Sequence, residues 1–131
     1  MSGTWDRNIS PVGWYVGSYL LRFIEIAQDG HDDPEKKFLT WENTVLVKAT
    51  DLDHAYEKVV KIGRMHTEPY KGGIEGVDVQ WIFEGITEII PIYEEIEDGA
   101  EILWCERTQK LKDLRERIRS TAECHQYPKK P

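Results

Sequence analysis

The residues of this 131-residue chain best suited to chemistry are four histidines, two cysteines and one glycine-rich stretch. His31-Asp32-Asp33 combines the imidazole and carboxylate donors that hold a metal ion. It sits, however, in Gln28–Glu35, a run dense in turn formers, whose ordinary role is a solvated loop. His54 falls in the first turn of an expected helix and reads as an exposed side chain. Cys124-His125 has no second pair nearby to complete a four-ligand site. Cys105 alternates with Trp104 on an expected strand, and a lone strand cysteine normally packs as a small apolar residue. Lys71-Gly-Gly-Ile-Glu-Gly76 has the composition of a phosphate-cradling loop, but a strand follows where such a loop needs a helix start. No Ser or Cys stands in a nucleophile motif. The sequence therefore assigns no catalytic residue, no metal and no cofactor.

Charge narrows the partners. The formal net charge is -7, from 17 basic and 24 acidic residues, which argues against wholesale binding to nucleic acid or an anionic membrane. The acids cluster from Glu84 to Glu101, a stretch without Lys or Arg, while Arg107, Lys110, Lys112, Arg115, Arg117 and Arg119 crowd the tail. A solvated edge beside a helix with ordinary i, i+4 pairs explains this pattern; docking of the basic tail on an acidic edge is the functional reading. No segment approaches the ~20 apolar residues of a membrane span, and the amino terminus lacks a charged region leading into an apolar core. Two cysteines make no disulfide framework. The expected setting is cytoplasmic.

The elements follow from periodicity. Residues 1–12 read as a flexible arm with an exposed Trp5. Trp14 to Ile26 is a strand with apolar residues on both faces, even positions carrying Trp14, Val16, Leu20, Ile24 and Ile26, odd positions Tyr15, Tyr19, Leu21 and Phe23. A second strand covers about Phe38 to Ala49. Thr50-Asp-Leu-Asp53 offers a helix cap, and Leu52, Ala55, Tyr56, Val59, Ile62 and Gly63 then keep the spacing of one buried stripe. His66 to Gly76 reads as a loop. A third strand runs from about Val77 to Glu84, bends at Gly85 and resumes to Glu94, with Pro91 requiring an edge or bulge. Glu97-Asp98-Gly99 turns the chain into a last strand, Glu101 to Arg107. A tail helix from Thr108 to about Ala122 presents Leu111, Leu114 and Ile118, and the end from Tyr127 is frayed.

The fold class is thus α+β. It is a mostly antiparallel twisted sheet of about five strands in the order β-β-α-β-β-β-α, one domain over residues 13–107, with a basic helix and tail over 108–131. One helix packs on one face; the other face is left for the C-terminal helix or a partner subunit.

Trp14-Tyr-Val-Gly-Ser18, Trp41-Glu42 leading into Val45–Ala49, Ala55–Gly63, Trp81-Ile-Phe-Glu-Gly85 and Glu97-Asp-Gly99 resemble, in order and spacing, a family of small bacterial domains of unknown function whose members typically begin with a Trp-Tyr-Val segment. The likeness covers about residues 14–106. It implies a compact bacterial α+β domain and no established activity.

Two functions remain. The preferred one is a non-enzymatic, homo-oligomeric interaction module, a dimer or larger, accessory or immunity-like, with Trp14, Trp41, Leu111, Leu114, Arg115 and Ile118 at its interface. The alternative is a small-molecule binder or weak enzyme. Its cleft would lie between the 66–76 loop and the sheet, walled by Arg64, Tyr70, Trp81 and Glu84.

Overall fold

The computed structural model describes residues 6–125; Trp5 and the end from Tyr127 fall outside them. Four strands and two helices follow in the order β1 (Trp14–Glu25), β2 (Thr40–Lys48), α1 (Leu52–Gly63), β3 (Tyr70–Gly72), β4 (Val77–Pro91) and α2 (Leu111–Glu116). All pairings are antiparallel, and the sheet order is β2-β1-β4-β3.

β1 is central because its side chains are apolar on both sides, so it tolerates a neighbour at each edge and cover on each face. Its odd positions face α1. Tyr15, Tyr19, Val47, Ala49, Ala55 and Val59 form the buried core, with Leu21, Val45, Leu52, Ile62, Phe83, Ile86 and Ile89 packed around it. The helix lies close to the strand at Gly17: a Cβ there would stand 2.4 Å from a Val59 methyl carbon, nearer than any side chain can go. α1 starts one residue later than the sequence suggests. Asp51, not Thr50, is the cap, its carboxylate accepting the His54 N–H at 2.7 Å, and Thr50 donates its N–H to His54 Nδ1.

β4 is one continuous strand. It slips register against β1 at Glu84 and again at Thr87, each an extra residue, and Gly85 takes φ +149°, a conformation side chains rarely allow. The expected bend at Gly85 is therefore taken up inside the ladder, and the slips place Phe83, Ile86 and Ile89 together against the core. Pro91 ends the strand with its nitrogen turned away from β1, since the next ladder bond runs from the Ile92 N–H to the Trp14 carbonyl.

Three expectations are corrected. Glu101–Arg107 forms no strand, and β3 instead lies inside the expected 66–76 loop, where Tyr70–Gly72 pairs with Val77–Val79. The tail helix is only Leu111–Glu116 and touches no other element, so it covers no face of the sheet. Nor is the second face apolar throughout. Ser18 and Arg22 interrupt β1 there, and beside Leu46, Ile82 and Ile90 the flanking strands present Thr40, Glu42, Thr44 and Glu88. Polar contacts cross this face: Arg22 Nε to Glu84 at 2.7 Å, Thr87 Oγ1 to Glu42 at 2.6 Å, and Ser18 Oγ to Thr44 Oγ1 at 2.8 Å. The Arg22 guanidinium also donates to the His31 carbonyl and lies 4.6 Å from the Phe38 ring centroid, which brings the 26–39 loop over the strand end.

Within the amino-terminal segment, Ser10 is buried. It donates its hydroxyl to the Ile92 carbonyl and accepts the N–H groups of Val12 and Trp14, while its own N–H bonds to the Tyr15 hydroxyl. Among the described residues no helix is long and apolar enough to cross a membrane.

Candidate functional site

A length mismatch creates the site. Twelve residues of helix reach about 18 Å, whereas twelve residues of β1 reach about 40 Å. α1 therefore covers the first half of the strand and stops near Gly63, which packs by Tyr19 and Phe83. Beyond that point the core-facing row continues with Leu21 and Phe23, and the neighbouring strands add Trp41 and Trp81.

The uncovered rings pack on one another. Trp81 lies 5.1 Å from Phe23 and 5.2 Å from Trp41, centroid to centroid, in tilted pairs. Tyr19, Leu21, Trp41, Asn43, Ile62, Met65, His66 and Trp81 line an open cleft of about 420 Å³. Trp41 and Met65 are each 55% exposed, so the apolar wall is wet in the free protein. Two polar side chains, the Asn43 amide and the His66 imidazole, interrupt it.

His66 holds the rim at a conformational cost. It takes φ +60°, the only positive φ outside glycine among the described residues. An L side chain in that left-handed region costs about 1 kcal/mol relative to its usual conformations, and such positions cluster at functional sites. A glycine would turn the chain here without strain, yet the position carries a histidine that lines the cleft.

The sequence-chosen cleft residues are not all brought together. Trp81 lines the cleft. Arg64, the residue that caps α1, lies beside it with its guanidinium 5.4 Å from the Phe83 ring centroid. Tyr70 stands exposed on β3, paired with Val79, and Glu84 bonds Arg22 across the opposite face. Of the residues chosen for an interface, Trp41 lines the cleft, while half-buried Trp14 has the Lys48 ammonium 5.9 Å from its ring centroid. Leu111, Leu114, Arg115 and Ile118 are exposed on the free tail, and no ion pair joins the basic tail to the Glu84–Glu101 acids among the described residues. Sequence reasoning missed Tyr19, Leu21, Asn43, Ile62, Met65 and His66. The usable signal was the length of the first strand against that of the first helix.

A family profile matches residues 14–104, most of the chain. The chain belongs to the family Domain of unknown function (DUF4288). No curated protein matches it, and no solved structure does. Every cleft residue lies within the DUF4288 match, whereas α2 lies beyond it. Chemically the cleft suits binding: flat apolar walls to stack a ring, an amide that both donates and accepts, and an imidazole. No group of three His, Cys, Asp or Glu side chains suited to a metal ion occurs among the described residues.

Proposed function

We propose that this domain is a non-enzymatic binding module whose working surface is the aromatic cleft, and that the cleft takes a small flat apolar molecule with one polar edge. The observation that carries this reading is the Trp41–Trp81–Phe23 cluster beyond the end of α1, its Trp41 exposed and its Trp81 and Phe23 half-buried. Its volume of about 420 Å³ falls in the range of small-molecule sites, and its make-up, apolar walls with two polar groups, is typical of them. The polar edge would meet Asn43 and His66.

Titration with 1-anilinonaphthalene-8-sulfonate, a flat probe with an anionic edge, tests it. Saturable one-site quenching of tryptophan emission and a rise in Tm with probe concentration are expected. Trp41→Ala should weaken binding by about tenfold or more and shrink the rise in Tm, while leaving the circular dichroism unchanged. Unsaturable binding, or binding indifferent to Trp41→Ala, would overturn the reading.

A second reading is an interaction module that self-associates or engages a protein, accessory or immunity-like. Its support is the run of exposed apolar residues in the tail, Ile102, Leu103, Trp104, Leu111, Leu114 and Ile118, which no strand or helix among the described residues shelters. Removing residues 102–131 and measuring mass in solution distinguishes it: loss of a complex supports the tail as the contact, and no change removes that support.

A further inference from the structure

The sheet's two outer edges are built differently. Beyond Val79, where β3 ends, β4 slips register twice, carries Glu84 and Glu88 and finishes at Pro91. Bulges, charges and proline are the devices that keep a strand edge from pairing. β2 has none of the bulges and no proline: Thr40–Lys48 runs against β1 without a register shift, and Trp41 and Leu46 are exposed along it.

The phase of its hydrogen bonds is set at both ends. The Phe23 N–H bonds to the Leu39 carbonyl, and the Ala49 N–H to the Gly13 carbonyl. Alternation then directs the backbone of Trp41, Asn43, Val45 and Val47 towards β1, and that of Thr40, Glu42, Thr44, Leu46 and Lys48 outwards. Among the described residues no backbone group meets this outer row; only the Lys58 ammonium reaches in, to the Lys48 carbonyl.

We propose that β2 pairs antiparallel with β2 of a second copy, about a two-fold axis at Val45, making one continuous sheet of both molecules. Charge selects the register. With Val45 on the axis, Glu42 lies opposite the partner's Lys48, and the symmetry repeats the pair. Thr44 lies opposite the partner's Leu46. All four of these residues direct their backbone outwards, so the new ladder closes without breaking the one to β1. Moving the axis to Thr44 instead would set Glu42 against an apolar leucine and Lys48 against a threonine. Neither charge has an ion-pair partner in its own chain among the described residues: Glu42 accepts a hydroxyl, and Lys48 lies over an indole. This proposal does not rest on the cleft or on its occupant.

Sedimentation equilibrium of the full chain over a concentration series is the test. The expected mass is twice the 15.3 kDa of one chain. Glu42→Lys and Lys48→Glu should each weaken the dimer by about tenfold or more, because each turns two facing attractions into repulsions, and the double reversal should recover it. Thr44→Pro removes a donor that points away from β1 and should give monomer. A mass of 15.3 kDa at every concentration would overturn the proposal. So would a dimer indifferent to all three single substitutions, or a double reversal that fails to recover.

Discussion

The α1-facing side of the sheet has two halves that obey different physics. The half under α1 is dry: Tyr15, Val59 and Ala55 have no solvent exposure, and the helix sits so close that Gly17 has no room for a methyl group. The half beyond α1 has the same kind of side chains and no cover, so its rings stack on one another and remain wet. One half holds the domain together, and the other is available to do something else. Apolar character alone does not separate core from site; the reach of the covering element does.

Substitutions should sort along that line. The largest stability losses belong to the covered half. Val59→Ala removes two buried methyl groups and leaves a void, for about 2 kcal/mol. Gly17→Ala overpacks the same contact, for about 1–3 kcal/mol. Chemical denaturation measures both, and the double variant should lose less than the sum, because the shortened residue 59 makes room for the added methyl. Additivity would mean that the two residues do not share a contact.

In the wet half the effect should move from stability to binding. Trp41→Ala should change unfolding free energy by less than about 1 kcal/mol, since the indole is already largely in water, yet weaken probe binding by about tenfold or more. Equal losses of both would make the wet half a second core. His66→Gly should raise stability by about 1 kcal/mol by relieving the left-handed strain, while weakening ligands that use the imidazole. A destabilised variant would mean that the ring contributes more packing than strain.

The smallest effect concerns the tail, which belongs to neither half. The Glu123 carboxyl is held below its ordinary value, first by the Ser120 backbone N–H and then by the Ser120 hydroxyl. A lowered folded value stabilises the turn above the ordinary glutamate range, and that contribution is lost as pH falls through the folded value. Glu123 should therefore titrate at lower pH than free glutamate by carboxyl-detected NMR, with the Ser120–Cys124 turn loosening below that point and the sheet unaffected.

Much of the fold was legible because local signals agreed with it. The two-sided apolar pattern of Trp14–Ile26 marks the central strand, and the stripe from Leu52 to Gly63 marks the helix. β3 was hidden because Tyr70–Gly72 is short and flanked by Pro69 and Gly73, so no periodicity can develop. Glu101–Arg107 has strand-like alternation but no strand to pair with among the described residues, and alternation does not supply one. Within β4 the slips at Glu84 and Thr87 break the period-two pattern, and Glu84, three residues from Trp81, stands on the opposite face, so the four-residue wall expected there does not form. His66 carried no pattern at all, because its role comes from a backbone angle.

The two slips also mean that β4 is two residues longer than the stretch of β1 beside it. That spare length is slack. A lineage that lost Glu84 or Thr87 could straighten the ladder and keep Ile89 and Ile90 on their present sides, whereas β1, matched residue for residue to β2, has nothing to give up. Length variation among related chains should therefore collect in the fourth strand and avoid the first.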